Sequence, residues 1–329
     1  MSFGRPYILE IDGCIHDGWL TIQNYEKTFL TDYLYYLLSS DSIFKQYIAM
    51  AAGSSVKNLN KEKVSALVVA YPKRTDEQRS IAEALSEVDE LIASLEKLIE
   101  KKKAIKQGAM QELLTGKHRL PGFSGEWEKA TIGELVTRKQ ASLQTGPFGT
   151  VLKASEYVDH GISIVSVREI REGRIEIFDE TPGVSDLTYH RLPQFVLKAY
   201  DIVFARKGSV DRSALIPENA PKLFLGSDGI RLRFSDSALA QFVFQYIQSH
   251  EIQQFLSTSA YGTTMVGLNE TIISSIPIFV PVNRKEQQSI VEVLSETGKM
   301  IASLEKLLDQ KKAIKQGMMQ QLLTGLIRL

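Results

Sequence analysis

One charged segment of this chain occurs twice. Residues 91–116 read LIASLEKLIEKKKAIKQGAMQELLTG, and residues 300–325 read MIASLEKLLDQKKAIKQGMMQQLLTG. Gly116 corresponds to Gly325, so the two copies are 209 positions apart. Each copy follows an apolar, proline-bearing segment that we expect to be a strand, and a Glu-Gln pair, at 65–78 and at 274–287. A repeat this close predicts two related units, each a globular part followed by a long helix.

The two globular parts differ in length. The stretch before the second long helix covers residues 117–284, whereas the stretch before the first covers residues 1–74. Gly53-Ser54-Ser55 corresponds to Gly262-Thr263-Thr264 at the same offset, and Asp17-Gly18 corresponds to Asp228-Gly229 with a two-residue gap. We therefore expect a strand after Asp17-Gly18, like the one predicted after Asp228. The first globular part is therefore predicted to be truncated on its N-terminal side, and to expose apolar surface there.

Composition indicates a protein with real hydrophobic cores. The chain has 329 residues, of which 43% are hydrophobic, and this length is typical of two domains. Its one cysteine, Cys14, excludes an internal disulfide framework. No apolar run is long enough to span a bilayer, and the first residues do not resemble a signal peptide. We expect a soluble, cytoplasmic protein that does not contact a membrane.

The charge balance constrains a nucleic-acid function. The chain has 39 basic and 39 acidic residues and no net charge. Proteins that bind DNA unaided usually carry a basic excess, because phosphate neutralisation provides most of their non-specific affinity. A DNA-binding function would therefore need a local arrangement of cations or a partner that provides them.

The long helices show the apolar spacing of a coiled coil. Thr75 is a capping residue, and the acidic residues after it favour the start of a helix. Apolar residues then alternate at steps of four and three, which predicts two antiparallel coiled-coil helices, at 75–116 and 285–325. We call these the seam residues: Ile81, Leu85, Ile92, Leu95 and Ile99 in the first helix, and Ile290, Leu294, Ile301, Leu304 and Leu308 in the second.

The middle unit, residues 117–284, is predicted to mix helices and strands. Strand-like runs occur at 161–167, 201–205, 229–234 and 276–280. Residues 238–256 have the pattern of an amphipathic helix, with a counterpart at 31–48. The predicted fold class is α+β: a mixed α/β globular domain, a partial second one, and two long helices.

No motif for catalysis, a cofactor or a metal is present in the sequence. There is no glycine-rich nucleotide turn and no phosphate-binding loop that ends in Gly-Lys-Ser/Thr. Cys14 and His16 lack the additional ligands that a zinc site needs, and the five histidines are scattered. We expect a non-catalytic chain without a metal or cofactor of its own.

Three loops of the middle unit are candidates for DNA contact. The loop at 144–149 offers small residues, one aromatic and a lysine shortly after it, although an ordinary turn explains it equally well. The run at 206–212 follows a predicted strand with three cations, which suits phosphate or guanine contact, and its alternative is a solvated hairpin tip. The run at 261–264 is repeated at 53–55, which indicates at least a loop required by the fold. The candidate residues are Gln144, Thr145, Phe148, Lys153, Arg206, Lys207, Ser209, Arg212, Tyr261, Thr263 and Thr264.

The order of these motifs resembles the specificity subunit of type I restriction-modification systems. The features that carry the resemblance are the duplicated helices ending in Leu-Leu-Thr-Gly, the 117–123 segment KHRLPGF, and the 145–149 loop. The Asp201-Ile202-Val203 run with its basic turn, the Asp228-Gly229 step and the Glu-Gln before each helix complete the pattern. Each motif alone is weak, but their order covers essentially the whole chain.

The resemblance implies a non-catalytic subunit that reads DNA. In this family two target-recognition domains each read half of a bipartite sequence in double-stranded DNA. The two helices act as a spacer that docks two methyltransferase subunits, and restriction subunits are further partners. S-adenosylmethionine belongs to the methyltransferase partner, so no cofactor is expected in this chain.

Two functions remain open at this stage. In the first, the chain directs methylation through its one complete recognition domain, with self-association providing the other half-site. In the second, it is a truncated scaffold that binds methyltransferase subunits without reading DNA. A third, weaker alternative is a coiled-coil adaptor unrelated to DNA. The predicted domains are a truncated recognition domain at 1–74, a spacer helix at 75–116, a complete recognition domain at 117–284 and a second spacer helix at 285–325.

Overall fold

The structure of the protein, a computed structural model, describes residues 3–51, 59–208, 212–261 and 267–329. The chain divides into two compact units. Unit 1 contains Met1–Lys101 and Met300–Leu329, and unit 2 contains Lys102–Lys299. Each of the two long helices therefore contributes residues to both units.

The helices and strands of the described residues follow in chain order. The helices are α1 (Thr31–Leu38), α2 (Asp41–Ala51), α3 (Lys61–Ser65), α4 (Thr75–Leu113), α5 (Ile132–Thr137), α6 (Asp186–Arg191), α7 (Ser237–Ile247), α8 (His250–Tyr261), α9 (Glu270–Ser274) and α10 (Arg284–Leu323). The strands are β1 (Trp127–Thr131), β2 (Ala141–Thr145), β3 (Tyr157–Val158), β4 (Ile162–Val165), β5 (Gly183–Val184), β6 (Val196–Leu197), β7 (Ile202–Ala205), β8 (Ser213–Leu215), β9 (Leu223–Leu225), β10 (Gly229–Phe234) and β11 (Pro277–Pro281). This mixture of helix and sheet confirms the predicted α+β class.

The described residues of unit 2 form three sheets. An antiparallel sheet has the order β2-β10-β7-β8, and a second, mixed sheet has the order β3-β5-β4-β9-β6. Strands β1 and β11 form a separate antiparallel pair, in which Trp127 is opposite Pro281. Strand β10 is the centre of the first sheet, because it pairs with β2 on one side and β7 on the other.

Strand β7 separates the two main cores of unit 2. Its side chains alternate between the faces of the sheet, as expected for a strand. Ile202 and Phe204 are fully buried in a core that includes α7 and the start of α10. Val203 and Ala205 are fully buried in the other core, against the second sheet. The near-continuous apolar run of β7 is thus explained by burial on both faces.

Unit 1 is helical in its described part. Tyr33, Ile81 and Leu85 are almost fully buried and pack with α1, α2 and the last turns of α10. No strand occurs in residues 3–51 or 59–101. The predictions of a strand after Asp17-Gly18 and of a strand in the apolar run before α4 are therefore wrong for the region described. The corresponding strand β10 is held by β2 and β7 in unit 2, and a strand needs such neighbours to satisfy its backbone.

Two long amphipathic helices predicted from the sequence are each broken in the structure. The run predicted at 31–48 is divided into α1 and α2, and the run predicted at 238–256 into α7 and α8. Serine lies at both breaks. Ser40 Oγ accepts a hydrogen bond from Ile43 N at the start of α2, and serine side chains favour helix starts because they compete for backbone groups.

The helical parts of the two units repeat one another in detail. Helices α3 and α9 are both five residues long and are capped by Asn60 and Asn269, whose side chains accept a backbone hydrogen bond. Gln78 and Gln287, near the starts of α4 and α10, are both buried. Each donates its side-chain amide to the carbonyl of the proline three residues before its helix begins, Pro72 O at 2.9 Å and Pro281 O at 2.7 Å.

Each long helix is also tied at its start to the segment that follows the other. In unit 2, Arg119 donates two hydrogen bonds to Glu286 at 2.5 and 2.7 Å. In unit 1, Arg328 donates two to Glu77 at 2.8 and 2.6 Å. We call these pairs the reciprocal clamps. They place α4 and α10 antiparallel within each unit, because the end of one helix lies beside the start of the other.

Among the described residues, no helix has both the length and the apolar character to cross a bilayer.

Candidate nucleic-acid interface

The basic turn after β7 is fixed by its backbone. Arg206 N donates to Asp228 O at 2.9 Å, and Arg206 O accepts from Leu268 N at 2.8 Å. Lys207 forms an isolated bridge with Gly267. Because a strand end and two neighbouring loops hold this backbone, the Arg206 and Lys207 side chains start from a defined position.

The loop at 146–149 approaches the same place. The amide of Gly146 donates to Gly229 O at 3.0 Å. A Cβ at position 146 would lie 1.8 Å from Gly226 O, so only glycine fits here. This close approach brings the loop after β2 beside the turn before β10.

Phe148 and Arg206 meet in this arrangement. The guanidinium carbon of Arg206 lies 4.6 Å from the centre of the Phe148 ring. The Phe148 side chain is nevertheless 48% exposed. A cation over an aromatic face is attracted by the ring quadrupole, by about 0.5–1 kcal/mol at exposed sites. The stacking orients the guanidinium while leaving it and the ring accessible.

Thr145, at the end of β2, is held by a carboxylate. Its amide and its hydroxyl both donate to Glu270 Oε1, at 2.8 and 2.6 Å. Glu270 is the first residue of α9, which Asn269 caps by accepting from Ile272 N at 2.8 Å. Gln144 donates its side-chain amide to Thr145 O at 2.8 Å. The polar groups at the end of β2 are thus oriented by one another and by α9.

A second carboxylate lies at the basic turn. Lys207 Nζ is 3.0 Å from Asp228 Oδ1, and the two side chains are 56% and 35% exposed. Burial raises the pKa of the Tyr157 hydroxyl, and the nearby charge of Asp228 raises it further. Lys207 and Asp228 therefore form an ion pair on the residue that follows Arg206.

The start of β7 is fixed by a buried ion pair. Asp201 is 1% exposed, and Arg233 donates to its two oxygens at 2.7 and 2.6 Å. Asp201 also accepts from Lys198 N at 2.7 Å. The Asp201 of the sequence motif therefore anchors β7 at the end of the strand away from Arg206.

The remaining predicted contact residues have different positions. Lys153 is exposed and precedes a short 3₁₀ turn at Ala154–Glu156. Arg212 is half-buried, and its carbonyl accepts from Ala205 N at 3.0 Å, so it returns to the end of β7. Tyr261 ends α8, but its side chain is outside what the structure describes, as are Ser209, Thr263, Thr264 and the 53–55 loop.

Two acidic residues of this surface were not predicted as site residues. Glu270 follows the capping residue Asn269, which has a counterpart at Asn60. The start of α9 could therefore be predicted from the sequence, but the contact between the Glu270 carboxylate and Thr145 could not. Asp228 was visible only as part of the repeated Asp-Gly step. In the described residues, no group of three or more histidine, cysteine or acidic side chains is arranged to hold a metal ion.

The seam residues are a separate candidate site. Ile81, Leu85, Ile92, Leu95 and Ile99 are all buried on α4, and Ile290, Leu294 and Ile301 are buried on α10. Leu304 and Leu308 are half-buried. In unit 1 the helix pair has ion pairs from Lys312 to Glu96 at 2.7 Å and from Lys315 to Asp89 at 2.6 Å.

The same helices carry a second apolar row that is exposed. Leu91, Leu98 and Ile105 are spaced by seven residues on α4, and they are 40%, 38% and 49% exposed. Their counterparts at the repeat offset are Met300, Leu307 and Ile314 on α10, which are 49%, 36% and 50% exposed. We call these residues the exposed heptad row.

Comparison with known proteins gives a consistent result. The family model for the type I restriction modification DNA specificity domain matches residues 5–107 and 125–316. The chain is 26% identical over 312 residues to the type I restriction enzyme MjaVIII specificity subunit of Methanocaldococcus jannaschii, which covers 90% of this chain and 70% of that protein.

Two solved structures are similar in fold. The crystal structure of the S subunit of the type I restriction-modification system from M. genitalium has a TM-score of 0.59 at 17% identity, covering 89% of this chain and 72% of that one. A chain from a structure on complex assembly and conformational transition of the type I R-M system has a TM-score of 0.58 at 16% identity, covering 91% and 72%.

Proposed function

The chain belongs to the family of type I restriction-modification DNA specificity domains, and from that premise we propose that unit 2 reads one half of a bipartite target in double-stranded DNA. The observation that carries the proposal is the exposed Arg206–Phe148 stack at the end of β7. It gathers a cation, an aromatic ring and the ends of two strands on one surface. We propose that the chain itself is non-catalytic.

The chemistry of this surface suits a DNA groove. A guanidinium presents a planar fork of donors, which matches either a phosphate or the two major-groove acceptors of guanine. Stacking on Phe148 reduces the freedom that Arg206 loses on binding. Thr145 offers a small oriented hydroxyl beside it, and Lys153 and Arg212 add cations for the backbone, where most positioning contacts are made.

Arg206 provides the test of DNA reading. When it is co-expressed with a cognate methyltransferase subunit, the unaltered protein is expected to direct adenine methylation to a defined motif. Arg206→Ala is expected to abolish that methylation or relax its sequence, while leaving the complex assembled. Lys222→Ala, which removes a cation from an exposed pair elsewhere in unit 2, is the matched control. Unchanged methylation by Arg206→Ala would contradict the proposal.

We further propose that the long helices dock methyltransferase subunits through the exposed heptad row. The seam residues face the protein interior, so their proposed role is to hold the spacer together. The exposed row has the apolar spacing that a helical partner recognises. S-adenosylmethionine would be bound by the methyltransferase partner. Two docked methyltransferase subunits, with restriction subunits as further partners, fit a spacer whose two helices each present such a row.

Charge substitutions in the exposed row test docking. Leu98→Glu with Leu307→Glu is expected to prevent co-purification with the methyltransferase subunit. Ala93→Glu with Ala302→Glu adds the same charge at exposed positions outside the row and is expected to leave the complex intact. Loss of the complex in both variants would indicate a general charge effect. Retention in both would contradict docking through this row.

The scaffold function remains the alternative, and the same experiments separate it. It predicts that Leu98→Glu with Leu307→Glu breaks the complex, as in the first proposal, while the unaltered complex methylates no defined motif.

A further inference from the structure

One carboxylate lies within the proposed DNA surface without an obvious use there. Asp228 places Oδ1 3.0 Å from Lys207 Nζ, and its carbonyl accepts from Arg206 N. A carboxylate on a surface that approaches phosphate is unfavourable, because like charges repel at short range. The presence of the Asp228 carboxylate on this surface therefore needs an explanation other than a contribution to solubility.

Lys207, which is paired with Asp228, differs in its surroundings from Arg206, which precedes it in the turn. Arg206 is oriented by an aromatic ring, which leaves its full charge available. Lys207 is instead matched by a carboxylate, so its charge is largely compensated before any ligand arrives. Both side chains of the pair are substantially exposed, so a phosphate could replace Asp228 at Lys207 without opening the fold.

We infer that Asp228 is an internal counter-ion that withholds Lys207 from non-specific phosphate contacts, so that Arg206 rather than bulk charge determines where the protein binds. This inference rests on the proposed DNA reading by unit 2. It also offers a reason for the neutral balance of the chain, since specificity is a ratio of affinities and lowering non-specific binding raises it.

The inference makes an unusual prediction about Lys207. Lys207→Met is expected to change non-specific affinity little, because the charge it removes is already compensated. Asp228→Asn keeps the size of the side chain and the backbone carbonyl but frees Lys207. In that background Lys207→Met is expected to remove whatever affinity Asp228→Asn gained. The two residues are thus coupled, and a double-mutant cycle measures the coupling.

Salt dependence of binding to a random-sequence DNA duplex is the measurement. It needs no knowledge of the target, and it uses the full chain. For Asp228→Asn the slope of log K against log salt is expected to steepen by about 0.9, the value for one additional phosphate contact. The affinity at low salt is expected to rise about threefold, as for one exposed ion pair.

A matched pair in the same unit provides the control. Lys222 and Asp186 are 3.1 Å apart and both are exposed, and neither is among the residues proposed to contact DNA. Asp186→Asn changes the net charge by the same amount and is expected to leave the slope unchanged. Equal shifts in Asp228→Asn and Asp186→Asn would overturn the inference, because they would show only the effect of net charge.

Two further outcomes would overturn the inference. Weaker binding by Asp228→Asn would show that the carboxylate only supports the turn, and would overturn the inference while leaving DNA binding by unit 2 in place. If neither the unaltered protein nor any variant bound the duplex at 20 mM salt or so, the proposed function and the inference would both fail.

Discussion

Units 1 and 2 share their helices but not their sheets. Both have a short asparagine-capped helix, a buried glutamine at the start of a long helix, and one reciprocal clamp. Unit 2 adds three sheets and two large cores. In unit 1, the segment that corresponds to β10 exposes Trp19 by 56%, and Tyr7 stacks on it with ring centres 6.0 Å apart.

The difference shows which elements a sequence specifies locally. A helix satisfies its own backbone, so the repeated helical segments form in both units wherever a small apolar core is available. A strand depends on neighbours from distant parts of the chain. The same Asp-Gly step therefore begins a central strand in unit 2 and an irregular exposed segment in unit 1.

The largest expected effect concerns the two equivalent core leucines. Leu85 and Leu294 are both fully buried at the same helical position. Leu85→Ala and Leu294→Ala are each expected to cost about 3 kcal/mol. Hydrogen exchange followed by peptide should show protection lost around α1 and α2 for Leu85→Ala, and around α7 for Leu294→Ala. Identical losses in both variants would contradict a division into two units.

The clamps are expected to differ in strength. The Glu286 side chain is 0% exposed, so Arg119→Met leaves a buried carboxylate without its partner, at a cost of about 3 kcal/mol. Arg328 is 71% exposed, and Arg328→Met is expected to cost clearly less, because water reaches the pair. Urea unfolding of the two variants measures both losses. An equal loss would contradict the greater burial of the unit 2 clamp.

One pair of the repeat is incomplete in unit 2. Lys315 pairs with Asp89 at 2.6 Å in unit 1, and their counterparts at the repeat offset are Lys106 and Gly298. Burial lowers the pKa of the Lys106 amine. A Cβ at position 298 would lie 3.4 Å from Lys106 Nζ, an ordinary contact. The position therefore has room for the missing acid.

Gly298→Asp is expected to recreate that pair. The gain in stability, about 1 kcal/mol, combines removal of a helical glycine with the new ion pair. Gly298→Ala isolates the first contribution. In a Lys106→Met background, the gain of Gly298→Ala should persist, whereas the ion-pair part of the Gly298→Asp gain should disappear. Thermal unfolding at neutral pH measures the stability of each variant. If Gly298→Asp stabilised the protein more than Gly298→Ala even in the Lys106→Met background, the proposed pairing with Lys106 would be contradicted.

The smallest expected effect is a pH dependence of the unit 1 clamp. Hydrogen bonds from Arg328 hold the pKa of Glu77 below its ordinary value of 4.5. Because the folded-state pKa is the lower one, the stabilisation is present above pH 4.5 and is lost as the pH falls through the folded value. Hydrogen exchange around Glu77 should report this loss. Arg328→Met should remove it, and an unchanged acid response in that variant would contradict the clamp.

Much of the helical architecture could be predicted because its signals are local. Thr75 starts α4 as expected, and the seam spacing correctly identified buried residues along α4 and the first part of α10, whereas Leu304 and Leu308 are only half-buried. The breaks at Ser39-Ser40 and near Ser249 were missed, since the apolar pattern continues across them. Hydrophobic periodicity identifies the buried face of a helix, but a capping side chain decides where the next helix starts.

The candidate site was harder to predict because its geometry is non-local. The loops at 144–149 and 206–212 could be selected by their residue types. Their meeting depends on Gly146 fitting against Gly226 and on the sheet order β2-β10-β7. Glu270 and Asp228 join the surface from two further segments. Neither contact has a sequence signal, because acidic residues at a helix start or before a glycine are common.

The most direct test of this comparison is a genome-wide map of methyladenine in cells that express the chain with its methyltransferase subunit. If unit 2 alone reads DNA, the map should show a bipartite motif with two identical half-sites in inverted orientation, each read by one copy of the chain, and Arg206→Ala should erase it. A bipartite motif with two unrelated halves would contradict the account, because it would require unit 1 to read DNA as well.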